Sequence, residues 1–220
     1  MTEKNPPENA VEGHPARSRP HRAPAAEERQ RDPERSRRRL LAAALDEFAA
    51  KGFTGARVQE IAARAGVNKQ LIDYYFGGKG GLYQAVERLW LEREAEFAHP
   101  DLPLDDLVSE YLHATLADPR LSRLLVWDGL AEATRAEYRP PEEPPGSEDV
   151  ADLRRRQEQG ELAADLDPGF VLLVFMGAII APTVMPQVVR RTTGIEADSP
   201  QFAGRYSEQL KRIVRHLAAR

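Results

Sequence analysis

The chain has 220 residues, enough for one large domain or for a small domain joined to a larger one. Its 31 basic and 35 acidic residues give a net charge of −4, which excludes a uniformly basic, histone-like nucleic-acid binder. The absence of cysteine excludes disulfide scaffolds, thiolate zinc sites, iron–sulfur clusters and cysteine nucleophiles, and it is compatible with the reducing cytoplasm in which we expect the protein to act.

Residues 1–32 are predicted to form a disordered tail. The segment contains five prolines, and after Met1 its only other apolar side chain larger than alanine is Val11. Such a segment cannot bury enough apolar surface to offset the entropy lost on ordering. It also has no apolar stretch typical of a secretory signal. The five arginines in its second half favour a solubilising tail, with a DNA-contacting arm as the alternative.

A basic helical region is predicted after the tail. Residues 33–81 carry nine basic and five acidic side chains, whereas residues 82–220 carry 16 basic and 24 acidic ones, so only the N-terminal region is suited to phosphate. Apolar residues from Leu40 to Ala49 recur at helical spacing, with Pro33 expected in the first turn and Gly52 after the last. A second, short helix is predicted over residues 57–64.

The strongest signal is a pair of short helices on either side of Gly66. Where two helices cross closely, the contact needs a small residue and the turn needs a residue that tolerates left-handed geometry. Ala62 and Gly66 meet these requirements, and Asn68 is a suitable N-cap for the following helix. The spacing predicts a helix-turn-helix, which can bind DNA or serve packing alone.

Two runs of sequence in this region are recognisable: VQEIAARAGVNK at 58–69, and YYFGGK at 74–79 followed by Leu82 and Tyr83. They resemble the N-terminal domain of the tetracycline-repressor (TetR) family of bacterial transcription regulators. The resemblance implies an all-α fold in which residues 33–93 form a three-helix helix-turn-helix DNA-binding domain. It further implies that residues 94–220 form a helical bundle for effector binding and dimerisation.

The resemblance also implies which residues meet DNA. Lys69, Gln70 and Leu71 fall where the family's recognition helix reaches base edges, and Tyr74, Tyr75 and Lys79 fall where phosphate contacts and packing are made. A glutamine can pair with adenine through two hydrogen bonds, which suits Gln70 to base recognition. The predicted DNA-binding residues are Arg57, Asn68, Lys69, Gln70, Leu71, Tyr74, Tyr75 and Lys79.

Four positions in the domain differ from the family pattern, among them Arg57, which adds a charge where a hydroxyl residue is common. Ala56 replaces the hydroxyl residue that usually caps the second helix, and Gly80 replaces an acidic residue and loosens the first turn of the fourth helix. Asp73 replaces a frequent aromatic residue and places a carboxylate near DNA. We expect Asp73 to pair with Lys69 or Arg64 rather than to face phosphate.

The acidic remainder of the chain is predicted to consist of further helices, with a proline-rich loop at 140–146. The three consecutive arginines at 154–156 are expected on a solvated helix face, with a second DNA-binding patch as the alternative. The helices are predicted over residues 79–97, 104–116, 120–138, 147–163, 169–189 and 199–219.

Residues 169–189 contain no charged side chain and have the length of a membrane span. Pro182, Pro186 and the lack of a second span favour a core or interface helix instead. The family resemblance implies that this helix and the one over 199–219 pair across a two-fold axis to form a homodimer. The residues expected between the subunits are Val174, Ile179 and Phe202.

An effector site is predicted from large aromatic and polarisable side chains, which give contact area together with a polar handle. The ligand is expected to be a small apolar or aromatic molecule, with Asp128 able to select a cationic or hydroxylated one. No cofactor or metal is predicted, because the five histidines are scattered and no glycine-rich phosphate loop is present. The predicted ligand-binding residues are Trp90, Tyr111, Trp127, Asp128 and Met176.

These features together predict a ligand-responsive transcriptional regulator rather than an enzyme. It is expected to be a repressor that binds a palindromic double-stranded DNA operator as a homodimer and is released by its effector. Two alternatives stay open at this point. One is a membrane-associated sensor anchored by residues 169–189, and the other is a small helical enzyme that uses Asp128 and Glu132 on one helix face.

Overall fold

The computed structural model describes residues 26–131 and 148–218. Within these ranges the chain forms ten α-helices and no strand, which confirms the all-α prediction. The helices are α1 (Ala26–Gly55), α2 (Val58–Ala65), α3 (Gln70–Phe76), α4 (Lys79–Phe97), α5 (Leu104–Ala117), α6 (Arg120–Ala131), α7 (Glu148–Glu158), α8 (Pro168–Val184), α9 (Pro186–Thr193) and α10 (Pro200–His216).

The first helix begins earlier than predicted. It runs from Ala26, so Pro33 lies inside the helix and not in its first turn. The residues before Pro33 read AEERQRD and are mostly strong helix formers, which favours continuation of the helix toward the N-terminus. Near the other end, Gly52 adopts φ 67° and interrupts the helical geometry.

Helices α1–α4 share one hydrophobic core, and we call this unit the head. Phe48 of α1, Ile61 of α2 and Leu82 of α4 are fully buried in it, and Ile72 of α3 is 1% exposed. Leu124 of α6 belongs to the same cluster, so α6 packs on the head, a contact that the sequence analysis did not predict. A second core joins α5, α7, α8 and α10, which form the body.

The sequence analysis predicted one continuous helix over the apolar segment 169–189, and the structure contradicts this prediction. Helix α8 ends at Val184, α9 begins at Pro186, and the two helices are bent by 93° relative to each other. Pro186 cannot donate a backbone hydrogen bond to continue α8, which explains the break. Within the described ranges no single helix is long and apolar enough to cross a membrane; only this bent pair passes that test by length and composition.

The three arginines at 154–156 do not form a uniformly solvated face. Arg156 is fully buried, and its guanidinium lies 2.6 Å from the carboxylate of Asp152 and 3.1 Å from that of Glu161. It also donates to the carbonyl of Leu102, at 2.6 Å. A buried guanidinium is tolerated when it is paired in this way, and here it holds the α4–α5 loop against α7. The predicted continuation of α6 to residue 138, and the loop at 140–146, lie outside the described residues.

Candidate nucleic-acid interface

The turn between α2 and α3 has the geometry expected from Gly66. This residue adopts φ 64° and ψ 39°, and its N–H donates to the carbonyl of Ala63 at 3.1 Å. The N–H of Val67 donates to the carbonyl of Ala62, also at 3.1 Å, and completes the end of α2. A methyl group at Gly66 would lie 2.6 Å from a guanidinium nitrogen at the flexible end of Arg39, which can move aside, so it is the left-handed conformation that favours glycine here.

The predicted cap of the recognition helix is also present. The side-chain oxygen of Asn68 accepts a hydrogen bond from the N–H of Gln70 at 2.9 Å, in the first turn of α3. Ile72 anchors α3 in the core of the head. With that side buried, Lys69, Gln70 and Tyr74 are exposed on the outer surface, and Tyr74 is 79% exposed. The outer face of α3 is therefore available to a partner.

The two adjacent tyrosines of α3 have different surroundings. Their rings contact each other with centroids 5.1 Å apart, but only Tyr75 is partly buried against the core of the head. Phe76, whose ring is 6.2 Å from that of Tyr75, lies beneath the guanidinium of Arg37 at 5.5 Å. Tyr75 therefore helps to fix α3 on the head, whereas the Tyr74 hydroxyl is presented outward with the ring.

Lys79 lies at the start of α4, between the ends of α1 and α3. Its ammonium nitrogen is 4.8 Å from the centroid of the Phe53 ring and 3.5 Å from the carbonyl oxygen of Thr54. Two residues later, a side chain at Gly81 would collide with the carbonyl oxygen of Phe76. The absence of a side chain at Gly81 therefore allows α4 to approach the end of α3 closely.

The structure places the N-cap of α2 at Arg57, one residue after the position that the sequence analysis had assigned to the cap. Arg57 occupies the N-cap position with extended backbone, is exposed, and makes no side-chain capping hydrogen bond. The preceding Ala56 is 3% exposed and packs in the core of the head. A small apolar residue therefore serves packing at this position.

The expected ion pair of Asp73 is not present, and this prediction is wrong. Arg64 instead contacts two carboxylates of α1, that of Glu47 at 3.4 Å and that of Asp46 at 3.7 Å. Within the described part of the chain Asp73 makes no ion pair with Lys69 or any other cation. The reason is geometric: α1 presents its acidic residues to Arg64 across the α1–α2 contact.

Glu47 is a buried charged residue that the sequence analysis missed. Its side chain is 1% exposed and contacts Lys51 at 2.7 Å as well as Arg64. Lys51 also contacts Glu60 of α2 at 2.6 Å. The hydrogen bonds to Glu47 and then to Glu60 raise the pKa of the lysine, and the bond from Lys51 lowers the pKa of Glu60. These pairs join α1 to α2. The spacing of Glu47 and Lys51 at i, i+4 was the available signal, but it does not reveal burial.

The predicted effector residues lie in three separate places. Trp90 of α4 and Tyr111 of α5 come together, with ring centroids 6.2 Å apart, and Phe97 lies 5.1 Å from Tyr111. The Tyr111 hydroxyl donates to the carboxylate of Glu94, whose pKa is raised by burial. We call Trp90, Phe97 and Tyr111 the aromatic cluster. Sequence analysis did not include Phe97 or Glu94.

Trp127 and Asp128 lie against the head and not at the aromatic cluster. The indole N–H of Trp127 donates to the carbonyl of Ala49 at 3.2 Å, and Asp128 accepts a hydrogen bond from the hydroxyl of Tyr83. These contacts join α6 to α1 and α4. Glu132, the second residue of the enzyme hypothesis, lies outside the described residues.

Met176 is 37% exposed on α8, where other large apolar side chains also face outward. Phe170, Leu173 and Val174 are 72%, 64% and 63% exposed, and we call these three residues the α8 face. The exposure of Val174 agrees with its predicted place between subunits. Ile179 and Phe202 differ from that prediction, because they are 9% and 3% exposed and are already buried within one chain.

Comparisons with known proteins agree with this architecture. The family model "Bacterial regulatory proteins, tetR family" matches residues 40–86, and the model "Tetracyclin repressor-like, C-terminal domain" matches residues 103–220. The chain is 32% identical to the HTH-type transcriptional repressor SCO4008 of Streptomyces coelicolor, over 74% of this chain and 86% of that protein. It is 39% identical to the HTH-type transcriptional regulator RutR of Escherichia coli, over 43% of this chain and 48% of that protein.

Solved structures show the same fold. The transcriptional regulator SCO4942 of Streptomyces coelicolor superimposes with a TM-score of 0.67 and 26% identity, over 83% of this chain and 98% of that one. A gamma-butyrolactone receptor superimposes with a TM-score of 0.54 at 21% identity, over 85% of this chain and 99% of that one, which shows the fold alone. The chain therefore belongs to the TetR family of bacterial transcriptional regulators and is a ligand-responsive DNA-binding regulator rather than an enzyme.

Proposed function

We propose that this protein is a homodimeric repressor that acts in the cytoplasm, binds a palindromic operator and is released by a small molecule. The observation that carries the proposal is the outer face of α3, where Lys69, Gln70 and Tyr74 are exposed on a helix anchored by Ile72. Lysine and tyrosine supply donors for phosphate, and glutamine can read a base edge. The name of the relative SCO4008, a transcriptional repressor, supports repression rather than activation.

A palindromic operator requires two copies of α3 related by a two-fold axis. The α8 face offers a surface for this dimer, because three large apolar side chains stand exposed on one helix. Ile213 of α10 is also 52% exposed and extends the apolar surface to the last helix. Burying such side chains between two subunits is favourable by about 25 cal/mol for each Å² of apolar area removed from water.

We place the effector at the aromatic cluster, where Trp90 and Tyr111 approach each other from α4 and α5. The rings of the cluster are tilted or edge-on to one another, and aromatic faces and edges of this kind suit a small apolar or aromatic ligand. The half-buried carboxylate of Glu94 replaces Asp128 as the group that selects a hydroxylated or cationic function, because Glu94 contacts Tyr111 of the aromatic cluster whereas Asp128 contacts Tyr83 of the head. Trp127 and Asp128 then serve to couple ligand binding to the DNA-binding head, through the contacts of α6 with α1 and α4. Met176 lies beside the dimer surface.

Helix α4 connects this effector site to the DNA-binding surface. Its C-terminal half carries Trp90 and Glu94, and its first turn contains Gly81, which lies against the end of α3. A ligand that favours a different tilt of α4 would alter the separation of the two α3 helices and lower the affinity for the operator. The coupling is reciprocal, so operator DNA must weaken ligand binding by the same factor.

The proposal is tested by offering the full chain a library of randomised DNA duplexes and sequencing the duplexes that it retains. We expect an inverted repeat whose half-sites are about 34–36 Å apart, or a multiple of this distance, centre to centre. Retention without any enriched sequence, or enrichment of a single half-site without its repeat, contradicts the proposal. A chain with Gln70 and Lys69 both changed to alanine is the control for retention that does not involve α3.

A further inference from the structure

A groove of about 330 Å³ lies where the head meets α6, away from the aromatic cluster. It is lined by residues of α1 and α4, by Asp118 and by the first turn of α6. Its floor is apolar and comes from all three helices: Leu41 and Leu45 of α1, Leu89 of α4 and Leu121 of α6. This volume lies at the lower end of the range for sites that hold small organic molecules.

The walls of the groove are rich in guanidinium groups. Arg38 of α1, Arg93 of α4 and Arg120 of α6 all line it, together with one carboxylate, that of Asp118. Asp118 accepts from Arg120 at 2.7 Å and 2.8 Å and lies 3.7 Å from Arg93, and the bonds from Arg120 lower its pKa. Arg38 makes no ion pair within the described ranges. The lining therefore has a net positive charge above an apolar floor.

We infer that this groove binds a small organic carboxylate with an apolar body. The apolar part would lie on the leucine floor, and the carboxylate would accept paired hydrogen bonds from the guanidinium groups of Arg38 and Arg93. Guanidinium is suited to this because its planar set of donors matches the two oxygens of a carboxylate. A neutral molecule of the same shape would gain only the apolar contacts, and a cationic one would be repelled.

Ligand binding in the groove would also affect the contacts that join α6 to the head. Arg120 contacts Asp46 of α1 at 2.7 Å as well as Asp118, so it links α6 to the helix that supports the DNA-binding surface. A carboxylate bound by Arg93 competes with Asp118, which also contacts Arg120, and so alters this link. The site therefore gives a second route by which a small molecule changes operator affinity, and it involves no residue of the aromatic cluster.

The test is isothermal titration calorimetry of the full chain with decanoate, held below the concentration at which it forms micelles. Decanol and decyltrimethylammonium, of equal chain length but neutral and cationic, are titrated in parallel. We expect binding of decanoate at least tenfold tighter than that of either analogue. Equal affinities for the three ligands overturn the inference, because the arginines would then contribute nothing.

Variants locate the binding. Arg38→Gln, on the exposed side of α1, should weaken decanoate binding about tenfold, as should Arg93→Gln, while Arg123→Gln on the exposed side of α6 should leave it unchanged. Circular dichroism of each variant establishes that it is folded. If Arg38→Gln is folded and binds decanoate as tightly as the parent chain, the carboxylate is bound elsewhere and the inference fails. The decanoate titration contains no DNA, so its result does not depend on whether the protein binds an operator, and operator binding is tested by a separate experiment.

Discussion

The indole of Trp127 in α6 donates a hydrogen bond to the carbonyl of Ala49 in α1, at 3.2 Å. The same ring packs on Gly52, where a methyl group would lie 3.1 Å from the ring carbons. Gly52 is also the residue at which α1 leaves helical geometry. The Trp127 side chain of α6 therefore covers the point at which the helical geometry of α1 is interrupted.

Trp127→Phe should lower the free energy of unfolding by about 0.5–1.5 kcal/mol, because the ring is kept but the Ala49 carbonyl loses its donor. Partial exposure of the indole, at 37%, places the expected loss at the lower end. Urea unfolding followed by circular dichroism measures it. Unchanged stability would show that water replaces the indole N–H without cost. The variant also leaves Trp90 as the single tryptophan, so its fluorescence reports on the aromatic cluster alone.

Asp73→Asn should raise the affinity for non-specific DNA, by up to about 1 kcal/mol, because a negative charge near phosphate is removed. The gain should be larger at low salt, where screening is weaker. Thermal stability should not change, since Asp73 makes no ion pair within the part of the chain that the structure describes. Fluorescence anisotropy with a random duplex gives the affinity, and Asp165→Asn, an exposed carboxylate of the body, is the control. Equal effects of the two variants would place Asp73 away from DNA.

The dimer surface is tested by a contrast between two residues of α8. Val174→Asp changes a side chain that is 63% exposed in one chain, so the subunit should fold but not dimerise. Ile179→Asp changes a side chain that is 9% exposed, and it should unfold the body. Light scattering gives the mass, and circular dichroism gives the helix content. A folded Val174→Asp variant that stays dimeric would place the interface on another surface.

Glu94→Gln should raise the stability of the protein at neutral pH. Burial raises the pKa of Glu94 in the folded state, so its ionisation opposes folding at pH values above that pKa. Glutamine keeps an acceptor for the Tyr111 hydroxyl and carries no charge. As the pH falls through the folded-state pKa, Glu94 becomes neutral and the advantage of the variant should disappear.

Thermal melts of the Glu94→Gln variant between pH 4 and pH 8 measure this difference. Glu92→Gln, which changes an exposed carboxylate of the same helix, is the matched control and should not show the same gain at neutral pH. A Glu94→Gln variant that is less stable than the parent chain at neutral pH would mean that the charge of Glu94 is stabilised by its surroundings.

The helix-turn-helix was predictable because its determinants are local. Gly66 and Asn68 act through backbone geometry and a capping bond within a few residues, and both were assigned from spacing alone. The bend at Pro186 was missed although the proline is visible in the sequence, because a proline alone does not decide where a helix ends: Pro182 lies inside α8, whereas α9 begins at Pro186. Contacts between distant helices, such as Trp127 with Ala49, leave no periodic trace in the sequence. Because the contact between Trp127 and Ala49 was not predicted, Trp127 was instead assigned to the effector site.

The central claim is that the outer face of α3 reads DNA bases while the start of α4 holds phosphate. The most direct measurement is the affinity of Gln70→Ala and Lys79→Ala for an operator and for its single base-pair variants, at several salt concentrations. Gln70→Ala should lose about 1–3 kcal/mol and relax the preference at one position in each half-site. Lys79→Ala should weaken all duplexes alike and reduce the salt dependence, because it removes a phosphate contact. Equal effects of the two changes on every duplex would contradict the assignment of base reading to α3.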